Sequence, residues 1–258
     1  MNYIMEMAQF FLLSLGFGVF IFAPVAKSEM TGGGFQKLLT TVCLVSLFIA
    51  QICHVVAGNS ASDLHSIILY TSMVSMLFHR QLHDTFDKKN VLLWILYSVP
   101  AVLTFVAFYT FQNSQITNYL FILSSALYLG AVTYAMILGH WYLVTPKLSE
   151  KPLKIALIAM WLIVIPKLVW SGVETMQASE YLEVGTRLGG GYAFNWMMVS
   201  MRALWGYVVI IVMSIFGWKL VAMRSIQSAT GIFYAMTIFI FIGEMISSFL
   251  FFKYGLLI

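Results

Sequence analysis

The chain alternates between long apolar stretches and short polar breaks over its whole length. Each of the apolar stretches is long enough to cross about 30 Å of hydrocarbon as a helix. The predicted spans are residues 7–26, 36–57, 64–83, 91–112, 118–144, 153–176, 194–218 and 228–252. The pattern therefore predicts an all-α fold, a polytopic membrane bundle of eight transmembrane helices, with residues 1–258 as a single integral membrane domain.

Most charged residues fall in the breaks, and their distribution predicts the orientation of the bundle. When alternate connections are placed on opposite sides, ten basic residues share one side: Lys27, Lys37, Arg80, Lys88, Lys89, Lys147, Lys151, Lys154, Lys219 and Arg224. The other side receives only Arg187 and Lys253. Because loops rich in Lys and Arg stay in the cytoplasm, we expect both termini on the outer side.

The composition excludes several classes of protein. Hydrophobic residues make up 61% of the chain and charged residues 9%, against about 25% charged residues in an ordinary soluble domain. A soluble fold, a nucleic-acid-binding protein and a disordered chain are therefore not expected, and the lipid bilayer is the expected partner. Cys43 and Cys53 lie ten residues apart in one apolar stretch, about 15 Å along a helix, too far for a disulfide.

Four ionisable residues remain at membrane depth once the loop charges are removed: Lys167, Glu174, Arg202 and Glu244. Such residues are costly in lipid and are often functional, so we treat them as candidate catalytic residues for acid–base chemistry. Lys167 directly follows Pro166, which interrupts helical hydrogen bonding. Alternatively, the four residues form two ion pairs, Lys167–Glu174 and Arg202–Glu244, that only hold helices together.

Further polar residues of the second and third spans lie in the same half of the bilayer: Gln51, His54, Asp63 and His65. Of these, His54 and Gln51 are candidates for binding a cofactor through hydrogen bonds. Trp170 and Trp205 lie at a similar depth and are candidates for the aromatic wall of a ring-binding site. Alternatively, these two tryptophans are ordinary packing or interfacial residues.

Three histidines lie toward the opposite side and are candidate metal ligands. His79 and His83 are four residues apart in the third span, and His140 lies near the inner end of the fifth. Histidines at this spacing share one face of a helix, and a pair from two helices can ligate haem b or copper. Alternatively, Arg80 and Asp84 beside them are typical of a hydrated helix end.

Two segments resemble the eight-helix membrane anchors of molybdopterin respiratory reductases, the dimethyl sulfoxide reductase anchor and polysulfide-reductase-type subunits. Ile242-Gly243-Glu244-Met245-Ile246 resembles a Gly-Glu stretch late in those anchors, and Ala50-Gln51-Ile52-Cys53-His54 lies where they have a histidine near a quinol pocket. Gly139-His140-Trp141-Tyr142 and Gln227-Ser228-Ala229-Thr230-Gly231 are more similar to an uncharacterised family of bacterial membrane proteins. Both resemblances imply a multi-pass protein of the bacterial inner (plasma) membrane, and the orientation expected from the basic residues would make its termini periplasmic.

The first functional hypothesis is a membrane subunit of a respiratory electron-transfer complex that binds quinone or quinol in the outer half of the bilayer. His54 would form a hydrogen bond to a quinol oxygen, and Glu244 or Glu174 would accept its proton. Lys167 and Arg202 would shift the pKa of those carboxyls. Redox partner subunits would hold the electron carriers, so the chain would be an enzyme only as a subunit of a quinone-linked oxidoreductase.

Two other hypotheses use the same residues differently. In one, the histidines ligate haem b or copper. In the other, the protein is a proton- or anion-coupled transporter or channel, with a pathway along Lys167, Glu174, Arg202 and Glu244 beside the helix broken at Pro166. Interrupted helices near charges at the bilayer midplane are typical of transporter sites.

Overall fold

The computed structural model of the protein describes residues 2–26, 28–82, 91–111, 115–145 and 148–258. The predicted all-α fold is confirmed, since the described residues form helices and turns without a strand. Their long helices are α1 (Tyr3–Val25), α2 (Gly33–Val56), α3 (Leu64–Leu82), α4 (Val91–Phe111), α5 (Ile116–Val144), α6 (Lys151–Gln177), α7 (Tyr192–Ala222) and α8 (Ile226–Tyr254). Two short helices, Ser28–Thr31 and Ser179–Leu182, lie in the connections.

Within the described part of the chain, seven of these helices are long and apolar enough to cross a membrane. The exception is α3, whose 19 residues include His65, His79, Arg80 and several hydroxyl side chains. A multi-pass membrane protein is therefore supported. That α3 is an eighth span, and that both termini lie outside, stay predictions; we use "predicted outer end" for the end of the bundle where α1 begins and α2 ends.

The helices form two groups of four. In the first group α1 packs on α2, α2 on α3, and α3 on α4. In the second, α5 packs on α6 and α8, and α7 packs on α8 and α6. The groups meet where α1 contacts α5 and α8, and α5 is the most enclosed of the apolar helices. Because the two groups meet mainly along α1, there is room for a pocket between them at the helix ends.

The contact between α1 and α5 brings two backbones together through glycine. A π-helical turn, Ser14–Gly18, interrupts the α-helix of α1, and Gly18 lies directly against Gly130 of α5. A Cβ atom at Gly130 would collide with the backbone of Gly18, so the approach requires glycine. Small residues allow such contacts between membrane helices, where dispersion forces replace the hydrophobic effect.

At the end opposite the predicted outer end, Glu150 links two connections of the second group, the one between α5 and α6 and the one between α7 and α8. Its carboxylate lies 2.6 Å from Lys154 Nζ and 2.7 Å from Arg224 Nε. These hydrogen bonds hold the pKa of Glu150 below its ordinary value. Four of the basic residues predicted for the cytoplasmic side lie outside the described residues: Lys27, Lys88, Lys89 and Lys147.

We expect the Gly130→Ala protein to be less stable than wild type by about 1–3 kcal/mol, the usual cost of overpacking, because the backbone of Gly18 cannot move away without separating α1 from α5. Gly231→Ala is the matched control, since Gly231 of α8 is exposed and an added Cβ meets no atom within 4 Å. Thermal unfolding of the purified proteins in detergent measures the difference. Equal melting temperatures for the two variants would contradict the proposed backbone contact.

Candidate functional site

A pocket of about 480 Å³ opens at the predicted outer end, between the two four-helix groups. Six of the eight long helices reach it: α1, α2, α4, α5 and α8 with their ends, and α3 with its first turn. We call it the His54 pocket. Its lining residues are Glu6, Gln9, His54, Asn59, Asp63, His65, Thr110, Phe111, Asn118, Phe251, Phe252 and Gly255.

A continuous chain of hydrogen bonds crosses this pocket. His54 Nε2 lies 2.8 Å from Asp63 Oδ2, and Gln9 Nε2 lies 3.0 Å from both His54 Nδ1 and His65 Nε2. The other nitrogen of His65, Nδ1, lies 3.0 Å from Thr110 Oγ1. Side chains from four helices and one connection are thereby held together around the two imidazoles, whose ring centroids are 4.9 Å apart.

The partners of the two imidazoles determine their tautomers. An ionised Asp63 can only accept a hydrogen bond, so His54 carries its proton on Nε2 and presents the Nδ1 lone pair to Gln9. The Gln9 amide donates to both histidines, so His65 accepts at Nε2 and donates from Nδ1 to Thr110. The Thr110 hydroxyl in turn donates to a backbone carbonyl of α4. In this arrangement each imidazole presents one acceptor nitrogen to the same point in the pocket, the amide of Gln9.

Asp63 is fixed in place by its position just before α3. Its Oδ1 accepts a 2.7 Å hydrogen bond from the Ser66 amide in the first turn of that helix, an N-cap interaction. Partial burial alone would raise the pKa of the Asp63 carboxyl, but hydrogen bonds from Ser66 and His54 outweigh it and hold the pKa below its ordinary value. Asp63 is therefore the carboxylate partner of His54 at neutral pH.

Gln51, predicted to bind a cofactor, does not line the pocket. Its amide nitrogen donates to Ser66 Oγ at 2.8 Å and to Tyr70 OH at 3.1 Å. These bonds join α2 to α3 less than one turn below His54. Gln51 thus supports the helix pair that carries the pocket.

A second polar cluster, the buried charge cluster, lies deeper, between α5, α6, α7 and α8. Arg202 Nη1 lies 3.0 Å from Glu244 Oε1, with the two side chains 0% and 1% exposed. Arg202 Nη2 donates to Tyr207 OH at 2.7 Å, and that hydroxyl lies 2.5 Å from Ser171 Oγ. The Arg202–Glu244 ion pair named as an alternative in the sequence analysis is present.

A glycine contact makes room for this ion pair. The π-helical turn Leu204–Val208 interrupts α7, and its Gly206 lies against Gly243 of α8 so closely that no Cβ would fit at Gly243. A Cβ at Gly206 would collide with the Arg202 guanidinium. The carbonyl of Gly206 accepts a 2.7 Å hydrogen bond from Tyr128 OH of α5. The π turn therefore serves both the helix contact and the hydrogen bonding of the cluster.

Lys167 faces the same region but does not pair with Glu174. Its Nζ lies 2.6 Å from Ser125 Oγ and 3.3 Å from Ser124 Oγ of α5, and 4.0 Å from the centroid of the Phe121 ring. The Lys167–Glu174 ion pair considered above is thus not formed. Lys167, Arg202 and Glu244 come together in one cluster, and Glu174 is outside it.

Three predicted site residues face elsewhere. Glu174 and Trp170 line an open, mainly apolar groove of about 530 Å³ along α6, beside Pro166. Trp205 stacks in parallel on Phe239 of α8, with ring centroids 5.0 Å apart. Neither tryptophan lines the His54 pocket.

The histidines predicted as metal ligands have different neighbours. The ring of His79 packs edge-on against Phe20 of α1 with a centroid distance of 6.0 Å, whereas His140 Nδ1 lies 2.7 Å from Tyr234 OH of α8. His83 lies outside the described residues. Within the described residues no group of three or more His, Cys, Asp or Glu side chains is arranged to hold a metal ion. Ligation of metal or haem by His79, His83 and His140 stays a prediction.

Several residues of the two clusters were not identified from the sequence: Gln9, Thr110, Ser125, Tyr128, Ser171 and Tyr207. Gln9 offered one usable signal, since it is an isolated amide in an otherwise apolar first span. Serine and tyrosine are common in membrane helices and gave no comparable signal.

Comparison of the chain with protein-family models, with curated proteins and with solved structures finds no match. The function is therefore inferred from the geometry of the two clusters.

We expect Asp63→Asn to destabilise the protein at pH 7 and to lose this effect in acid. Asparagine can still cap α3, but its amide would donate to His54 Nε2 and place a proton on Nδ1, facing the Gln9 donor. Because the pKa of Asp63 is lowered in the folded state, the carboxylate contributes stability above its ordinary pKa of about 3.9 and loses it at lower pH.

Thermal unfolding of both proteins in detergent at pH 7 and pH 3 tests this prediction. Glu180→Gln, at an exposed residue of the connection after α6, is the control and should change little at either pH. If the melting temperatures of wild type and Asp63→Asn differ by the same amount at both pH values, the assigned role of the carboxylate is contradicted.

Proposed function

We propose that the protein is an integral membrane subunit that binds a quinol in the His54 pocket and transfers its electrons to a redox centre of a partner subunit. One observation carries the proposal: a nitrogen of each of two imidazoles faces one point, and a carboxylate holds the far side of His54. This arrangement accepts hydrogen bonds and protons from a ligand hydroxyl.

The His54–Asp63 pair supplies the acid–base chemistry. Oxidation of a quinol releases two electrons and two protons. With the Gln9 amide displaced, a quinol hydroxyl would donate to His54 Nδ1, and the imidazolium formed by proton transfer would keep its Nε2–H on the Asp63 carboxylate, 2.8 Å away. A carboxylate in this position orients an imidazole and stabilises its cation. His65 Nε2 offers a second acceptor, and an iron–sulfur or haem carrier of the partner would take up the two electrons.

The aromatic residues that line the His54 pocket suit the ring of a quinol. Phe111, Phe251 and Phe252 border the pocket, and Phe252 packs edge-on against Phe111 with centroids 5.8 Å apart. The pocket volume of about 480 Å³ lies within the range of about 300–1,000 Å³ found for small-molecule sites. Aromatic walls beside a few directed polar groups are typical of such sites.

The geometry favours Asp63 over Glu244 and Glu174 as the carboxylate that supports His54. Glu244 is engaged by Arg202 inside the buried charge cluster, and Glu174 lines the groove on α6. The carboxylate that supports His54 therefore lies in the α2–α3 connection, close to the water at the end of the bundle. A proton passed from His54 to this connection has a short path out of the protein.

The resemblance of residues 50–54 to a segment near the quinol pocket of the respiratory anchors supports the same ligand class. His54 ends that segment and lies at the centre of the hydrogen-bonded chain. With both termini outside, as the basic residues predict, the pocket would open toward the periplasm of a bacterial inner membrane. The proton released by the quinol would then leave on that side.

We expect His54→Gln to weaken the binding of a short-chain menaquinol or ubiquinol at least tenfold, since it removes the acceptor nitrogen and its carboxylate support, and tenfold corresponds to about 1.4 kcal/mol. Fluorescence quenching or calorimetry under anaerobic conditions measures the affinity. His140→Gln is the matched control, because His140 is exposed and contacts Tyr234 away from the pocket. Equal affinities of wild type and His54→Gln would remove the basis of this proposal.

A further inference from the structure

The buried charge cluster is not balanced if every member is ionised. Arg202 and Glu244 form a direct ion pair, 3.0 Å apart and enclosed by protein. Lys167 is only 3% exposed, and its hydrogen-bond partners are two serine hydroxyls. An ammonium here would add an unpaired charge to a low-dielectric region, which is costly unless a counter-ion is in contact. A neutral amine would leave the cluster with no net charge.

The hydroxyl of Ser125 is the closest hydrogen-bond partner of Lys167. Many hydroxyl side chains of these helices donate to a carbonyl three or four residues earlier: Ser14, Ser46, Ser72, Thr104, Ser124, Thr237 and Ser248. Within the described residues, the hydrogen bond of Ser125 Oγ is the one to Lys167 Nζ, at 2.6 Å. Lys167 Nζ donates this hydrogen bond and the hydroxyl accepts it, so the nearest hydrogen-bond partner of the nitrogen carries no charge that could balance an ammonium.

The surroundings of Lys167 can also accommodate a proton. From α5, the face of the Phe121 ring lies 4.0 Å from Nζ and favours a cation there. From α8, the second carboxylate oxygen of Glu244, Oε2, is buried without a hydrogen-bond partner. The charged and titratable groups that face this region from the packed helices are Tyr128 of α5, Arg202 and Tyr207 of α7 and Glu244 of α8. Arg202 opposes a second cation, and Glu244 attracts it.

We infer that Lys167 is a proton-loading site, a neutral amine at rest that takes up one proton reversibly inside the buried charge cluster. Phe121, which contacts Lys167, packs against Phe251 at a centroid distance of 5.6 Å, and Phe251 lines the His54 pocket. An aromatic pair thus separates the loading site from the pocket. This inference does not depend on the ligand of that pocket.

The test compares the pH dependence of unfolding of wild type and Lys167→Met in detergent between pH 6 and pH 10. If Lys167 is neutral when folded and protonated when unfolded, unfolding takes up one proton. The unfolding equilibrium constant of wild type relative to Lys167→Met should then rise as the pH falls, by at most about tenfold per pH unit. Lys167→Arg, which cannot lose its proton, should be destabilised at every pH.

Lys219→Met is the matched control, since Lys219 is exposed near the end of α7; its unfolding should follow wild type at every pH. Two results would show a fixed cation at residue 167 and overturn the inference. One is a difference in unfolding equilibrium constant between wild type and Lys167→Met that does not change with pH. The other is a stable Lys167→Arg protein together with an unstable Lys167→Met protein. Nitrogen-15 NMR of lysine-labelled wild type covers the case in which neither variant folds. One neutral-amine resonance at pH 8 supports the site, and ammonium resonances alone overturn it.

Discussion

Polar side chains within a membrane bundle must find their partners in the protein, because lipid offers none. This requirement explains the two clusters of the chain. A single amide nitrogen of Gln9 satisfies two imidazoles at 3.0 Å each, and the guanidinium of Arg202 is shared between Glu244 and Tyr207. Each cluster draws on several helices. The same bonds that satisfy the polar groups therefore also set how the helices pack.

Close backbone contact is the second condition for these clusters. Gly18 and Gly130 bring α1 against α5, and Gly206 and Gly243 bring α7 against α8. In both cases one of the glycines lies in a π-helical turn, which shifts the following residues around the helix. In α7 that turn begins two residues after Arg202, and the guanidinium lies beside the contact. The close contact leaves space for a buried cation where a larger residue would exclude it.

The sequence predicts the helices well and the partners of their side chains poorly. The span predicted at 118–144 is observed as Ile116–Val144, because polar residues bound the apolar run at both ends. By contrast, Lys167 and Glu174 lie two turns apart on one helix and were paired in one of the two alternatives, yet Lys167 contacts Ser125 of another helix. Where a helix is apolar on all sides, the pattern does not show which face meets which neighbour. Gln9 was missed for the same reason.

The chain of hydrogen bonds in the His54 pocket has a direction, and that direction constrains its ligand. The Asp63 carboxylate fixes the proton of His54 on Nε2, and Thr110 accepts from His65 Nδ1. Both nitrogens that face Gln9 are therefore acceptors, so a ligand that replaces the Gln9 amide has to donate hydrogen bonds. A quinol has two hydroxyl donors, whereas a quinone has only carbonyl acceptors. Under the proposed function, this arrangement would favour the reduced ligand, and proton transfer to His54 on oxidation would remove the acceptor that held it.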